Sequence, residues 1–120
     1  MASERPLVLS YAGCGTCKKA LRWFSDHGVP VDVRPIVDSP PSAEELGAWI
    51  PKSKRSVRKW LNTSGQSYRA IGKQKVDAAK DEEIVRWLTQ DGKLVKRPVV
   101  VTRQSVLVGF DEAAYADTFG

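Results

Sequence analysis

Leu7-Val8-Leu9-Ser10-Tyr11-Ala12-Gly13-Cys14-Gly15-Thr16-Cys17-Lys18-Lys19-Ala20-Leu21-Arg22-Trp23-Phe24 decides how this chain is read. An apolar run, a turn holding two glycines and a helical pattern follow one another without a break. The only two cysteines of the chain, Cys14 and Cys17, fall at the junction. A sulfur at a helix start meets exposed backbone N–H groups and the positive end of the helix dipole, which favour thiolate over thiol. A thiolate with a second thiol one turn away can attack, be attacked and resolve to a disulfide. The pair therefore reads as a redox or nucleophilic site, and Gly15 and Thr16 between the cysteines are candidate substrate-binding residues.

Two plainer readings compete. Half of a zinc site would need further ligands, but there is no second CxxC, and the one histidine, His27, lies at the far end of the first helix. No metal is expected. Inert burial of two small residues is the other reading, and it suits mid-strand better than a glycine-rich strand–helix junction. The cysteine–arginine loop of phosphatase chemistry is absent, because Ala20 and Trp23 stand where arginine would be needed.

The 120 residues suit one domain, 1–120, with room for a real core. Apolar content of 42% and charged content of 28% are ordinary for a water-soluble globule. No apolar stretch is long enough to span a bilayer, and the N-terminus lacks a signal-peptide core. A cytoplasmic protein is expected, where a free CxxC serves catalysis or sensing more often than structure. The net charge of +5 owes much to Lys52, Lys54, Arg55, Arg58 and Lys59. Such a run is most often a solvated face. It can also attract an anion or an acidic partner, but it lacks the aromatic interleaving of nucleic-acid platforms.

Residues 6–11 read as a buried strand and 15–27 as a helix stopped by Gly28. Residues 29–36 read as a second strand, at an edge because of Pro35. Ser42 and Glu45 form a capping box for a helix carrying Leu46, Trp49 and Ile50, which Pro51 ends. Residues 54–61 read as a short basic helix, with Trp60, like Trp49, in the core. Asp81-Glu82-Glu83 opens a helix that Asp91-Gly92 ends. The runs 94–101 and 106–110, separated by Thr102-Arg103-Gln104-Ser105, read as a β-hairpin. Asp111 caps a last short helix through Tyr115.

The order is β-α-β, several helices, then β-β-α. A βαβ unit carries parallel strands, and the hairpin completes a four-stranded mixed sheet flanked by helices, with a helical insertion. That α/β architecture is thioredoxin-like. In it, the proline at the position of Pro98 has a cis bond and faces the redox cysteines. Arg97 then projects toward Cys14, where a guanidinium lowers the thiol pKa and can hold an oxyanion; by the dipeptide alone, Pro98 reads equally as a trans proline that starts an edge strand and Arg97 as a surface arginine.

Tyr11-Ala12-Gly13-Cys14-Gly15-Thr16-Cys17-Lys18-Lys19-Ala20, Asn62-Thr63-Ser64-Gly65 with Tyr68-Arg69, and Asp91-Gly92, Lys96-Arg97-Pro98 and Val108-Gly109-Phe110 stand in this order. Together they resemble the arsenate reductase-like family with a thioredoxin fold, over Leu7 to Tyr115. The family includes glutathione- and glutaredoxin-coupled arsenate reductases, small glutathione-dependent thiol reductases, and Spx-like stress regulators whose CxxC is a switch. The resemblance implies Cys14 as nucleophile, Arg97 as oxyanion-binding arginine and Arg58 as a second one. A third arginine of the arsenate reductases falls near Val108 to Phe110, where this chain has none; Arg103 lies in the predicted turn. Cys17 is a further departure from the one-cysteine reductases and allows an internal disulfide.

The resemblance thus implies a cytoplasmic oxidoreductase with no bound cofactor, glutathione as co-substrate, and glutathione or glutaredoxin as partner. The other implied function is a redox-sensing regulator that binds RNA polymerase, at its alpha subunit, through a Cys14–Cys17 switch. Neither involves direct nucleic-acid or membrane binding, and a monomer is expected.

Overall fold

Successive residues of a strand point to opposite faces of its sheet, and the first strand uses both. In the computed structural model, which describes residues 5–119, β1 (Leu7–Ser10) sends Leu7 and Leu9 to one face and Val8 to the other. β3 (Val99–Val101) pairs antiparallel with it in the register Leu7↔Val101, Val8↔Val100 and Leu9↔Val99. β4 (Val106–Val108) continues with Val99↔Val108, Val100↔Leu107 and Val101↔Val106. Paired residues therefore share a face. β2 (Asp32–Pro35) lies parallel on the far side of β1, giving the order β2-β1-β3-β4. The expected four-stranded mixed sheet and the edge position of β2 are both present.

On the Val8 and Val100 face, α1 (Gly15–Asp26) and α6 (Glu112–Phe119) bury Ala20, Trp23, Phe24 and Tyr115. The larger core lies on the other face. There, Leu46 and Trp49 of α2 (Ala43–Ser53) join Ile84 and Leu88 of α5 (Asp81–Gln90) around Trp60, which has no exposed surface. Trp49 and Trp60 are core residues, as the sequence suggests.

Four local readings change. Pro51 does not end α2, which runs two residues further to Ser53; a proline removes only its own N–H, and Lys54 stops the helix in a left-handed conformation, φ 58°. Residues 54–61 contain one 3-10 turn, Val57–Trp60. Of the run 94–101 only Val99–Val101 enters the sheet, because Gly92–Leu94 form a 3-10 turn and Val95 makes a separate bridge to Leu61. The last helix reaches Phe119, whose ring packs on Phe24 at 5.1 Å. Two short helices, α3 (Gln66–Ile71) and α4 (Lys73–Ala78), fill a stretch that carried no clear signal.

Arg34 ties β2 to α2. Its guanidinium grips both Glu45 oxygens at 2.8 and 2.9 Å and donates to the carbonyls of Ser39 and Pro40. Glu45 also completes the capping box with Ser42. The Arg34 hydrogen bonds outweigh partial burial and hold the Glu45 pKa below its ordinary value. Its contribution to stability is therefore complete above the unfolded value of about 4.3 and is lost as pH falls through the lower folded value. Urea midpoints measured from pH 6 down to pH 3 should show a shallower acid decline in Arg34→Gln than in the parent.

Gly92 marks where backbone touches backbone. A Cβ there would collide with the Ile36 carbonyl oxygen and lie 2.7 Å from its carbon and 2.9 Å from Val37 Cα. The chain leaving α5 thus crosses directly against the chain leaving β2. Gly92→Ala should cost about 3 kcal/mol, the upper end of ordinary overpacking, read as a lowered urea midpoint; an unchanged midpoint would contradict this crossing.

Candidate functional site

Beyond Ser10 the chain turns sharply, with the Cys14 N–H donating to the Tyr11 carbonyl at 3.0 Å. Cys14 has extended backbone, φ −98° and ψ 116°, and is the N-cap of α1. Its sulfur does what a serine or aspartate oxygen does at other helix starts: Sγ accepts the Cys17 N–H at 3.2 Å. Cys14 is half-buried, and Cys17, one turn on, is wholly buried. Gly15 and Thr16 form the exposed first turn between them.

The two thiols are driven apart electrostatically. Burial opposes the Cys14 thiolate, but the Cys17 thiol and N–H, and the N–H and charge of Arg97, outweigh it, and the pKa falls below the ordinary value. Burial and hydrogen bonding to Cys14 push Cys17 up to about 11, opposed by the Tyr11 backbone and Ser10. The outer sulfur is thus the easier of the two to deprotonate, and the inner one holds its proton more tightly.

The β1–β3 pairing brings Arg97 here. Leu9 pairs with Val99, so the chain leaving β1 and the chain entering β3 meet at one end of the sheet. The Arg97–Pro98 bond is cis. Arg97 is half-buried, its Nη1 donates weakly to the Lys93 carbonyl at 3.4 Å, and its buried Nε has no hydrogen-bond partner. Its guanidinium carbon stands 5.1 Å from the centre of the Tyr11 ring, with Lys93 Nζ 5.9 Å from the same centre. These three residues line a cleft of about 340 Å³ with Asn62, Gly65, Gln66 and Ser67. Neither this cleft nor a larger one of about 760 Å³, between Arg5, Val29, Arg103 and Phe119, is lined by a cysteine; the smaller one adjoins the cysteine loop through Tyr11 and Arg97.

The structure places Cys14, Cys17, Arg97, Pro98, Gly15 and Thr16 at this end of the sheet. Arg58 has a different setting: its guanidinium donates to the carbonyls of Val76, at 2.8 Å, and Ala79, at 2.5 Å, and lines a separate cleft with Lys59 and Lys96. Two of its five donors, one on each terminal nitrogen, are thereby committed to backbone. Arg103 sits in the hairpin turn beyond Val101, which pairs with Leu7 at the opposite end of β1, so it does not stand in for an arginine at 108–110. His27 is taken up by α1, its Nδ1 2.8 Å from the Trp23 carbonyl and its ring stacked on Trp23. Among the described residues no group of three or more His, Cys, Asp or Glu is placed to hold a metal ion. Nor is any helix among them long and apolar enough to cross a membrane.

Sequence reading missed Tyr11, Lys93, Asn62 and Ser67 as parts of the cleft. The signal available was the polar turn Asn62-Thr63-Ser64-Gly65, quoted as a motif without a role, and the aromatic residue between strand and CxxC.

The site makes a direct prediction for iodoacetamide. Cys14 should alkylate with a pH midpoint below the roughly 8.5 of a free thiol, while Cys17 stays unmodified in the folded protein. Arg97→Gln should raise that midpoint, and an unmoved midpoint would remove Arg97 from the site.

The ArsC family model matches residues 9–118. An ArsC family related protein from Bacteroides fragilis is 42% identical with a TM-score of 0.89, the match covering 94% of this chain and 97% of that one. A protein of Streptococcus mutans UA159, described as a possible arsenate reductase, is 32% identical with a TM-score of 0.86, covering 98% and 100%. Global transcriptional regulator Spx 2 of Lactococcus lactis is 23% identical over 105 residues, which is 88% of this chain and 79% of that protein.

Proposed function

The chain belongs to the ArsC family, and from that premise we propose that it is a cytoplasmic thiol-dependent oxidoreductase whose nucleophile is the Cys14 thiolate. The observation that carries the reading is the inequality of the two sulfurs: Cys14 capping α1 with its pKa lowered, Cys17 buried with its pKa raised. Attack requires a thiolate, and of the pair Cys14 is the one whose surroundings favour that form.

The substrate class is a disulfide, either a glutathione mixed disulfide or a protein disulfide. Arsenate is an oxyanion that calls for several converging guanidinium groups. Here Arg97 is at the sulfur, Arg58 is committed to carbonyl groups, and Val108-Gly109-Phe110 holds no arginine. In the reaction, Cys14 Sγ forms a bond to one substrate sulfur as the substrate S–S bond breaks and the other sulfur leaves as thiolate. A glutathione thiolate, free or delivered through glutaredoxin, then attacks the mixed disulfide. If the adduct carries glutathione, this regenerates Cys14 and releases oxidised glutathione. A proton from solvent completes each departing thiol. For a glutathione mixed disulfide the sum is one substrate thiol released and one glutathione thiol consumed, with oxidised glutathione as the other product; a protein disulfide consumes two glutathione thiols and ends as two protein thiols and oxidised glutathione.

A second reading has specific support. Cys17 N lies 3.2 Å from Cys14 Sγ, and a transcriptional regulator is among the relatives. In that reading oxidant closes a Cys14–Cys17 disulfide and changes a docking face for RNA polymerase, at its alpha subunit.

Pure protein assayed with glutathione and glutaredoxin on a glutathione mixed disulfide, and separately on arsenate, distinguishes them. Turnover of the mixed disulfide is expected, lost by at least a hundredfold in Cys14→Ser and kept in Cys17→Ser, with little arsenate reduction. Absence of turnover in protein that still forms the internal disulfide would transfer the assignment to the switch.

A further inference from the structure

Arg97 acts on Cys14, yet its own hydrogen bonds do little to fix it. Nε is buried without a partner, and the bond from Nη1 to the Lys93 carbonyl is long, at 3.4 Å. Apart from that long bond and its N–H toward Cys14, a guanidinium with five donors has little polar contact to fix its plane. What lies against it is the Tyr11 ring, 5.1 Å from centroid to guanidinium carbon. A cation over an aromatic face is attracted by the ring's negative quadrupole, more strongly where water is excluded.

Tyr11 is itself well anchored. Its carbonyl receives the Cys14 N–H, so its backbone belongs to the turn that presents the sulfur. Its ring packs against the larger core, and its edge lies over Gly13, where a Cβ would come within 3.0 Å of Cε2. The residue is thus fixed to the cysteine loop at its backbone and to Arg97 at its ring.

We propose that Tyr11 is a positioning residue, whose ring holds the Arg97 guanidinium against Cys14. It touches neither sulfur nor substrate in this role, and it acts only through Arg97. The inference rests on the reading of Cys14 as the reactive thiol. The charged and titratable groups concerned are Cys17 and Arg97 facing Cys14, and Lys93 and Arg97 facing the ring. Lys93 Nζ lies 5.9 Å from the centre of the same ring, farther than the Arg97 guanidinium carbon at 5.1 Å.

The test is the pH profile of iodoacetamide alkylation of the full chain, with circular dichroism confirming the fold. Tyr11→Phe keeps the ring face and should match the parent. Tyr11→Leu keeps an apolar side chain but no face, and should slow alkylation about threefold below the midpoint, with the midpoint moved up. Placing pentafluorophenylalanine at position 11 keeps the ring's shape but reverses the polarity of its face, so it should behave like the leucine variant even if leucine disturbs the fold. In an Arg97→Gln background neither change should add a further effect. Unaltered profiles in both Tyr11→Leu and the fluorinated protein, or equal shifts with and without Arg97, would overturn the proposal. A parent midpoint at the free-thiol value would overturn it together with the Cys14 reading, whereas a low parent midpoint insensitive to the ring would overturn it alone.

Discussion

The antiparallel pairing of Leu9 with Val99 is the constraint on which everything at the site depends. Residues 14 and 97 lie at opposite ends of the sequence, and nothing local draws them together. Three valines facing two hydrophobic clusters fix the register, because a one-residue slip would turn each of them to the wrong side of the sheet. Once the register is fixed, the strand leading to the cysteine loop and the strand following the cis proline share one end. The chemistry of Cys14 is in this sense paid for by the core.

Electrostatics then refine what topology has assembled. The same burial acts on both cysteines, but with different partners. Cys14 receives hydrogen bonds and faces a cation; Cys17 donates to Cys14 and lies on the buried face of α1 with no exposed surface. The raised value at Cys17 owes part of its size to the negative sulfur beside it. When Cys14 is tied up in a mixed disulfide that contribution disappears, and the inner thiol becomes easier to deprotonate. Coupling of this kind lets one pair of sulfurs serve either a reductase or a switch.

Much of this was legible in the residues. The strand–turn–helix around Cys14, the capping box of Ser42 and Glu45, the edge position of β2 and the hairpin all follow from periodicity and turn chemistry that act within a few residues. The cis bond at Pro98 came from the fold rather than from the dipeptide, since few X–Pro bonds are cis. What stayed hidden depends on contacts made across the chain. α3 and α4, six residues each, carry too little apolar pattern to announce themselves and are separated only by Gly72 at φ +92°. The carbonyl partners of Arg58, eighteen and twenty-one residues on, leave no local mark in the sequence. Tyr11 looked like the end of a strand, because a ring's partner across the site leaves no trace in its neighbours.

In the proposed reaction the sulfur that caps α1 is also the sulfur that reacts. Most helices keep these duties on separate atoms, so their chemistry leaves the backbone undisturbed. Here any bond formed at Cys14 Sγ weakens an acceptor that the Cys17 amide relies on. The covalent state of the protein is therefore written into the solvent protection of a single amide hydrogen, and the first turn of α1 tightens and frays in step with the catalytic or signalling cycle.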